Sequence, residues 1–189
     1  MKTIIFTFHF ILMILGTSAF AQQAISSSEK FGNTLNVGVG LGYYGYVGNP
    51  IPVIHADYEF DILRNFTLAP FIAYYSYQNY NYWGDPSYQY RNYSYRETVV
   101  PVGIKGSYYF DRLLHANYKW DFYLAGSLGY AIRTTTWESG YYGNRTVSHG
   151  PSDLFLDLHI GTEYHLNKKA GLFLDLSTGV STFGLAIHF

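Results

Sequence analysis

The chain contains no cysteine, which excludes a disulfide scaffold and a thiolate metal site and leaves the redox compartment open. Charge is scarce. Asp, Glu, Lys and Arg make up 13% of the 189 residues, where an ordinary soluble domain carries about a quarter. The formal net charge of −1 gives no electrostatic support to a nucleic-acid or polyanion partner. No apolar run reaches the ~20 residues that a helical bilayer span requires. The chain holds instead 21 Tyr, 14 Phe, 3 Trp and 19 Gly, a mixture that favours strands and turns over helices. The length suits one domain with a real core.

The N-terminal "MKTIIFTFHFILMILGTSAFAQQA" has a cation at Lys2, an apolar stretch over Ile4–Leu15, and small residues at Ala19 and Ala21. It reads as a secretory signal peptide spanning residues 1–21, cut after Ala21, followed by one domain over residues 22–189. Removing Lys2, one of 12 basic residues, leaves 11 bases against 13 acids. The exported chain stays near neutral.

From Leu35 onward the sequence alternates with a period of two, the mark of strands with one apolar side. Leu35, Val37, Val39, Leu41 and Tyr43 share one face, and "VGNP" then supplies a turn. In "IHADYEFDI", Ile54, Ala56, Tyr58, Phe60 and Ile62 oppose His55, Asp57, Glu59 and Asp61; a helix would scatter those polar groups around its circumference. Similar faces run through Phe66–Tyr74, Val100–Phe110, Phe122–Ile132, Leu154–Leu166, Ala170–Leu176 and Phe183–Phe189. That predicts eight strands, and none of the apolar-face residues is charged. The connections "LRN", "DRLLHANYKW" and "NKK" are shorter than the polar stretches over about residues 78–92 and 138–152. They alternate with them, as in a barrel with short turns at one end and long loops at the other.

The opposite faces decide which solvent lies outside. They carry His55, Asp57, Glu59, Asp61, Glu97, Lys105, Arg133, Asp157, His159, Glu163, His165, Asp175 and His188, interleaved with glycine, alanine and serine. A narrow eight-stranded interior needs such small residues, whereas a water-facing exterior does not. Closure also satisfies every backbone polar group in lipid. The expected architecture is an all-β, eight-stranded antiparallel up-and-down transmembrane β-barrel with those ionisable groups forming a lumen polar network.

The signal peptide, "LNVGVGLGYYGY", "VVPVGIKGSYYF" and the closing "FGLAIHF" resemble the small eight-stranded outer-membrane β-barrel family of Gram-negative bacteria, the porin-like outer membrane protein β-barrel domain. The resemblance implies an outer-membrane location with both termini periplasmic and contact with outer-membrane lipid. It also implies that Phe183, Leu185, Ile187 and Phe189 form a C-terminal signal for the barrel-assembly machinery. Some barrels of this size are lipid A deacylases or acyltransferases, and others are narrow channels, so both stand as alternatives to a structural or surface-interaction role.

No catalytic residue, cofactor or metal is expected. Seven inward acids against Lys105, Arg133 and four histidines make the lumen acid-rich, so His159, His165 and His188 are expected beside Glu163, Asp175 and Asp157, with protons, a cation or water sharing the negative charge. "HIGTEYH" places His159 and Glu163 ~13 Å apart along one strand at ~3.3 Å per residue, too far for one ion; a compact metal site needs ligands from other strands. "SHGPSD", from Ser148 to Asp153, holds Ser, His and Asp, but Gly-Pro at its centre reads as a loop breaker, and the deacylase-type His-x-Ser-Asn arrangement is absent. The Tyr/Asn-rich segment Tyr74–Tyr95 is expected to reach above the membrane, with Tyr80, Tyr82, Trp83, Tyr88 and Tyr90 as a surface-binding loop for an extracellular ligand or protein.

Overall fold

The computed structural model describes residues 33–42, 51–114, 116–147 and 153–189. The signal segment, the "VGNP" turn and most of "SHGPSD" lie outside the described residues. Eight antiparallel strands follow in order: β1 (Thr34–Gly42), β2 (Ile51–Leu63), β3 (Phe66–Asp85), β4 (Tyr88–Tyr109), β5 (Trp120–Trp137), β6 (Leu154–Asn167), β7 (Ala170–Ser177) and β8 (Val180–His188). Each pairs with its sequence neighbours, and β1 pairs with β8 to close the barrel. A single helical turn, α1 (Asp111–Leu114), interrupts the β4–β5 connection, where Asp111 accepts the backbone N–H of Phe122.

Both ends of the described wall lie at the same end of the barrel as the β2–β3, β4–β5 and β6–β7 connections. There Asn33 donates to the Glu59 carbonyl and accepts from the Phe189 N–H. The β2–β3 turn places Asn65 in the left-handed region (φ 63), which asparagine tolerates because its short amide bonds locally. This is the short-turn end. The opposite, hairpin end carries the longest connection, β5–β6, and there β3 and β4 run far beyond their neighbours.

Two of the three directly opposed glycine pairs bring neighbouring backbones close together. Gly38 faces Gly184 on the β1–β8 seam, and Gly103 faces Gly129 on the β4–β5 seam, on the far side of the barrel. A Cβ on Gly129 would lie 2.3 Å from the Val102 carbonyl oxygen, and one on Gly184 would lie 2.1 Å from that of Val37, so no other residue fits. These pairs let the strand backbones and the inward rings approach where a side chain would clash. Rings fill the space released inside: Phe71 lies against Gly103, and Phe173 against Gly38.

The strand alternation predicted from sequence is present, with extended limits. β5 begins at Trp120, two residues before Phe122. Much of the stretch expected as a loop over residues 78–92 is paired strand, leaving Pro86 and Ser87 as the tip. Tyr82 pairs opposite Asn92, and Tyr80 opposite Ser94. Above the lipid both hairpin faces meet polar surroundings, so the apolar alternation that marks the lower strands is absent there.

Candidate functional site

Exposure assigns the two faces. Val39 (50%), Ile54 (59%), Leu128 (56%), Leu158 (69%) and Phe183 (60%) present half or more of their surface outward, while Asp57, Lys105 and Asp175 inside retain 3% each. A water-soluble barrel would show the reverse. The uncharged outer band needs hydrocarbon, and the closed ladder leaves no open strand edge in it. The chain is a transmembrane β-barrel. Phe183, Leu185, Ile187 and Phe189 lie on that outer face, with Leu185 opposite Val37 and Ile187 opposite Leu35 across the closing seam.

No family model matches this barrel, and no curated protein does. Among solved structures it is similar to Neisserial surface protein A (15% identity, 82% of this chain and 95% of that chain, TM-score 0.47). It is also similar to Ail, the attachment invasion locus protein of Yersinia pestis, solved with the heparin analogue sucrose octasulfate (7% identity, 82% and 96% covered, TM-score 0.46). A de novo designed transmembrane β-barrel resembles it as well (13% identity, 84% and 98% covered, TM-score 0.44).

Inside the barrel of this chain the ionisable groups form three tiers. In the central tier Lys105 Nζ lies 3.1 Å from Asp57 Oδ2, 3.8 Å from Asp175 Oδ2 and 3.9 Å from Glu59 Oε1. Three carboxylates around one ammonium leave an excess of negative charge, which neutral donors share. Asn36 donates to Asp57 (3.0 Å) and Glu59 (3.1 Å), Thr67 and Tyr109 each donate to Glu59 (2.8 Å), and Tyr123 donates to Asp175 (2.9 Å). His159 joins from the side, with Nδ1 2.7 Å from Asp175 and Nε2 2.8 Å from the Ser127 hydroxyl. His55 packs against Phe71 with its Nδ1 3.5 Å from Asp57.

The tier at the short-turn end gathers Glu163 and His165 from β6, His188 from β8, Asp121 from β5 and Thr34 from β1. His188 Nε2 is 2.7 Å from Glu163 Oε1, and His165 Nε2 is 2.7 Å from Asp121 Oδ2. Nearer the hairpin end, Asp157 holds the β7–β8 turn by accepting from the hydroxyls of Ser177 (2.7 Å) and Thr178 (2.6 Å) and the N–H groups of Gly179 (2.7 Å) and Val180 (3.0 Å). Glu97 accepts from Tyr77 (2.5 Å), and Arg133 pairs with Asp153 (3.0 Å), the last residue of the Ser/His/Asp segment and the only one described.

Asp61 pairs opposite the buried Thr67 close to the β2–β3 turn and is exposed there, with a register shift between it and Leu63. Sequence reasoning also missed members of the network. Asn36, Thr67, Tyr109 and Tyr123 are buried donors to the acids and Asp121 is a buried partner of His165, and each falls on the inner parity of its strand, which is the signal that would have found them. An apolar plug was missed as well. Ile51, Val53, Ala73, Tyr75, Val99, Ala131 and Val180 pack together inside the barrel, with Tyr77 and Phe155 against them. Between plug and central tier, a cavity of about 10 Å³ lined by His55, Phe71, Phe155 and His159 has room for about one water.

The hairpin beyond the lipid has two unlike faces. Trp83 is half-buried, its ring 5.4 Å from Tyr141 and 5.8 Å from Tyr93. Tyr141, 1% exposed, stacks on Trp137 at 4.2 Å and accepts a hydrogen bond from Asn81 (2.9 Å). Glu138 ties this second arm to the hairpin: it accepts from the Ser94 N–H (2.9 Å) and hydroxyl (3.1 Å) and pairs with Arg91 (3.1 Å). Those bonds from Ser94, then the Arg91 charge, hold the Glu138 carboxyl below its ordinary range. Tyr88, at the tip, leans between Trp83 and Tyr142. Tyr80, Tyr82 and Tyr90 stay open, at 63%, 67% and 59% exposure, with Tyr82 and Tyr90 6.0 Å apart.

Proposed function

We propose that this barrel is a surface-binding protein whose lumen serves stability and whose β3–β4 hairpin serves recognition. The observation that carries the reading is the braced hairpin. It projects beyond the apolar band by roughly 35 Å of strand at ~3.3 Å per residue, and one face keeps the Tyr80, Tyr82 and Tyr90 rings in solvent. Flexible loops lose conformational freedom on binding. This arm is already ordered by Trp83, Tyr141 and Glu138, so little remains to be lost.

Flat exposed rings beside Asn92 and Gln78 amides suit the apolar faces and hydroxyls of a carbohydrate, and we take a glycan as the ligand class. In this reading the signal peptide directs export, the short-turn end faces the periplasm, and the Phe183–Phe189 strand is what the barrel-assembly machinery reads. The apolar plug and the Lys105 cluster support a barrel that does not conduct.

The test is a glycan array probed with the barrel in lipid nanodiscs, beside a Tyr82→Ser/Tyr90→Ser double variant. The expected result is saturable binding to a defined glycan class that falls at least tenfold in the variant. Binding unchanged by the double substitution, or none by the folded wild-type barrel, overturns the proposal.

A further inference from the structure

The tier at the short-turn end has the composition and geometry of a metal site. Glu163, His165 and His188 each offer one donor atom, and the three atoms lie within 4.8 Å of one another. Glu163 Oε1 is 2.7 Å from His188 Nε2 and 3.7 Å from His165 Nδ1. Donors around a tetrahedral zinc ion with bonds of 2.0–2.1 Å stand about 3.3 Å apart, a spacing that these distances bracket.

The remaining ring nitrogens are also engaged, as metal-ligating histidines require. His165 Nε2 lies 2.7 Å from Asp121 Oδ2; a carboxylate accepts only, so that nitrogen carries the hydrogen and Nδ1 turns toward Glu163. His188 Nδ1 lies 2.9 Å from the buried Thr34 hydroxyl, which accepts its hydrogen when Nε2 is a ligand. In that arrangement two nitrogen lone pairs and a carboxylate oxygen converge on one point. A cation there reconciles them.

Gly171 reinforces the placement. A Cβ there would lie 1.9 Å from Glu163 Oε1, so the glycine is what lets the carboxylate occupy this position. His165 and His188 retain 25% and 18% of their side-chain exposure, which leaves an approach from the barrel mouth and a fourth coordination position for water.

We infer that Glu163, His165 and His188 form a divalent metal site of the zinc type, with Asp121 and Thr34 orienting the two imidazoles. Two imidazoles and one carboxylate suit zinc better than the all-oxygen shells of calcium or magnesium. The ligands come from β6 and β8, which are separated by β7. The bound ion is therefore a clamp that fixes the closing strand to the wall two strands away.

The test uses tag-free barrel purified from outer membranes in detergent, stripped with chelator and titrated calorimetrically with zinc chloride alone at neutral pH. Heat-modifiable gel migration verifies the fold of each variant. The expected results are one zinc per barrel, at least 100-fold weaker binding in His165→Ala and in Glu163→Gln, and about 10–100-fold weaker binding in Asp121→Asn. Zinc should also raise the denaturant midpoint of the wild type and leave that of Glu163→Gln unmoved. The site is refuted by substoichiometric binding to the wild type, or by full-affinity binding to folded His165→Ala. Glu163→Gln keeps the side-chain volume, so it serves as the deciding variant should the histidine substitution prevent folding.

Discussion

Lys105 Nζ stands 3.1 Å from Asp57 Oδ2, although 48 positions separate the two residues and β3 runs between their strands. The contact crosses the lumen and gathers the charge of Asp57, Glu59 and Asp175 around one ammonium. Its removal should expose what the surrounding neutral donors can and cannot compensate.

In Lys105→Met the methylene stem is retained and the charge is lost, leaving three buried carboxylates without their central cation. Breaking a buried ion pair from one side costs about 3–5 kcal/mol. Denaturant unfolding in detergent, followed by tryptophan fluorescence, should show a loss of that order. A change under about 1 kcal/mol would mean that Asn36, Thr67, Tyr109 and Tyr123 carry the acids without help.

Gly129→Val should damage the β4–β5 seam, since the new Cβ would meet the Val102 carbonyl oxygen at 2.3 Å and backbone cannot yield as a side-chain tip can. Overpacking of this kind costs about 1–3 kcal/mol or more. Gly126→Ala is the control: its Cβ has only Leu158 Cδ2 near it, at 3.9 Å, and faces lipid. Heat-modifiable migration after refolding should be reduced for the first variant and intact for the second.

Leu128→Arg places a cation in the apolar band opposite Leu156 and should destabilise the barrel by about 2–4 kcal/mol in bilayers. Thr134→Arg, six residues further along β5 toward the rim, should cost about 0–1 kcal/mol. Equal penalties for the two would contradict the assigned position of the band.

The hairpin brace should loosen in acid. The Glu138 carboxyl is held below its ordinary value of 4.5 by Ser94 and then Arg91. The freed arm therefore binds more protons than the docked one wherever the two values differ, and docking strengthens as pH rises. The contribution is fully present above pH 4.5 and is lost as pH falls through the lowered value. Hydrogen-exchange protection factors at Tyr141 and Ser94, which divide out the intrinsic pH dependence of the amide, should fall in that window, and Glu138→Gln should remove that fall.

The sequence was most legible where lipid imposed a strict alternation. Val37, Ile54, Leu128 and Phe183 could be placed by parity alone, because a residue on the wrong face would meet the wrong solvent. Where that demand ends, so did legibility. Asp61 follows the alternation yet is exposed beside the β2–β3 turn, and Gln78 to Tyr82 look like loop because the hairpin there has left the lipid. Asp121 lies one residue beyond the predicted start of its strand and was passed over.

The grouping of Glu163, His165 and His188 is a property of register. Spacing along β6 gives no reason for His188 to meet Glu163; only the pairing of β7 with both β6 and β8 brings them to one mouth of the barrel. The apolar plug escaped for a related reason. Val53, Tyr75 and Val99 are as hydrophobic as their outward neighbours, and composition does not tell a lumen-filling side chain from a lipid-facing one.

Thr34 meets His188 across 154 positions, while the other ladders join consecutive strands. The wall is therefore a strip with two raw margins until its most distant rung is set, and closure must wait for delivery of the whole polypeptide. A chain halted upstream of β8 keeps those margins open to foreign strands, which makes completeness itself the condition for leaving the pool of aggregation-prone intermediates.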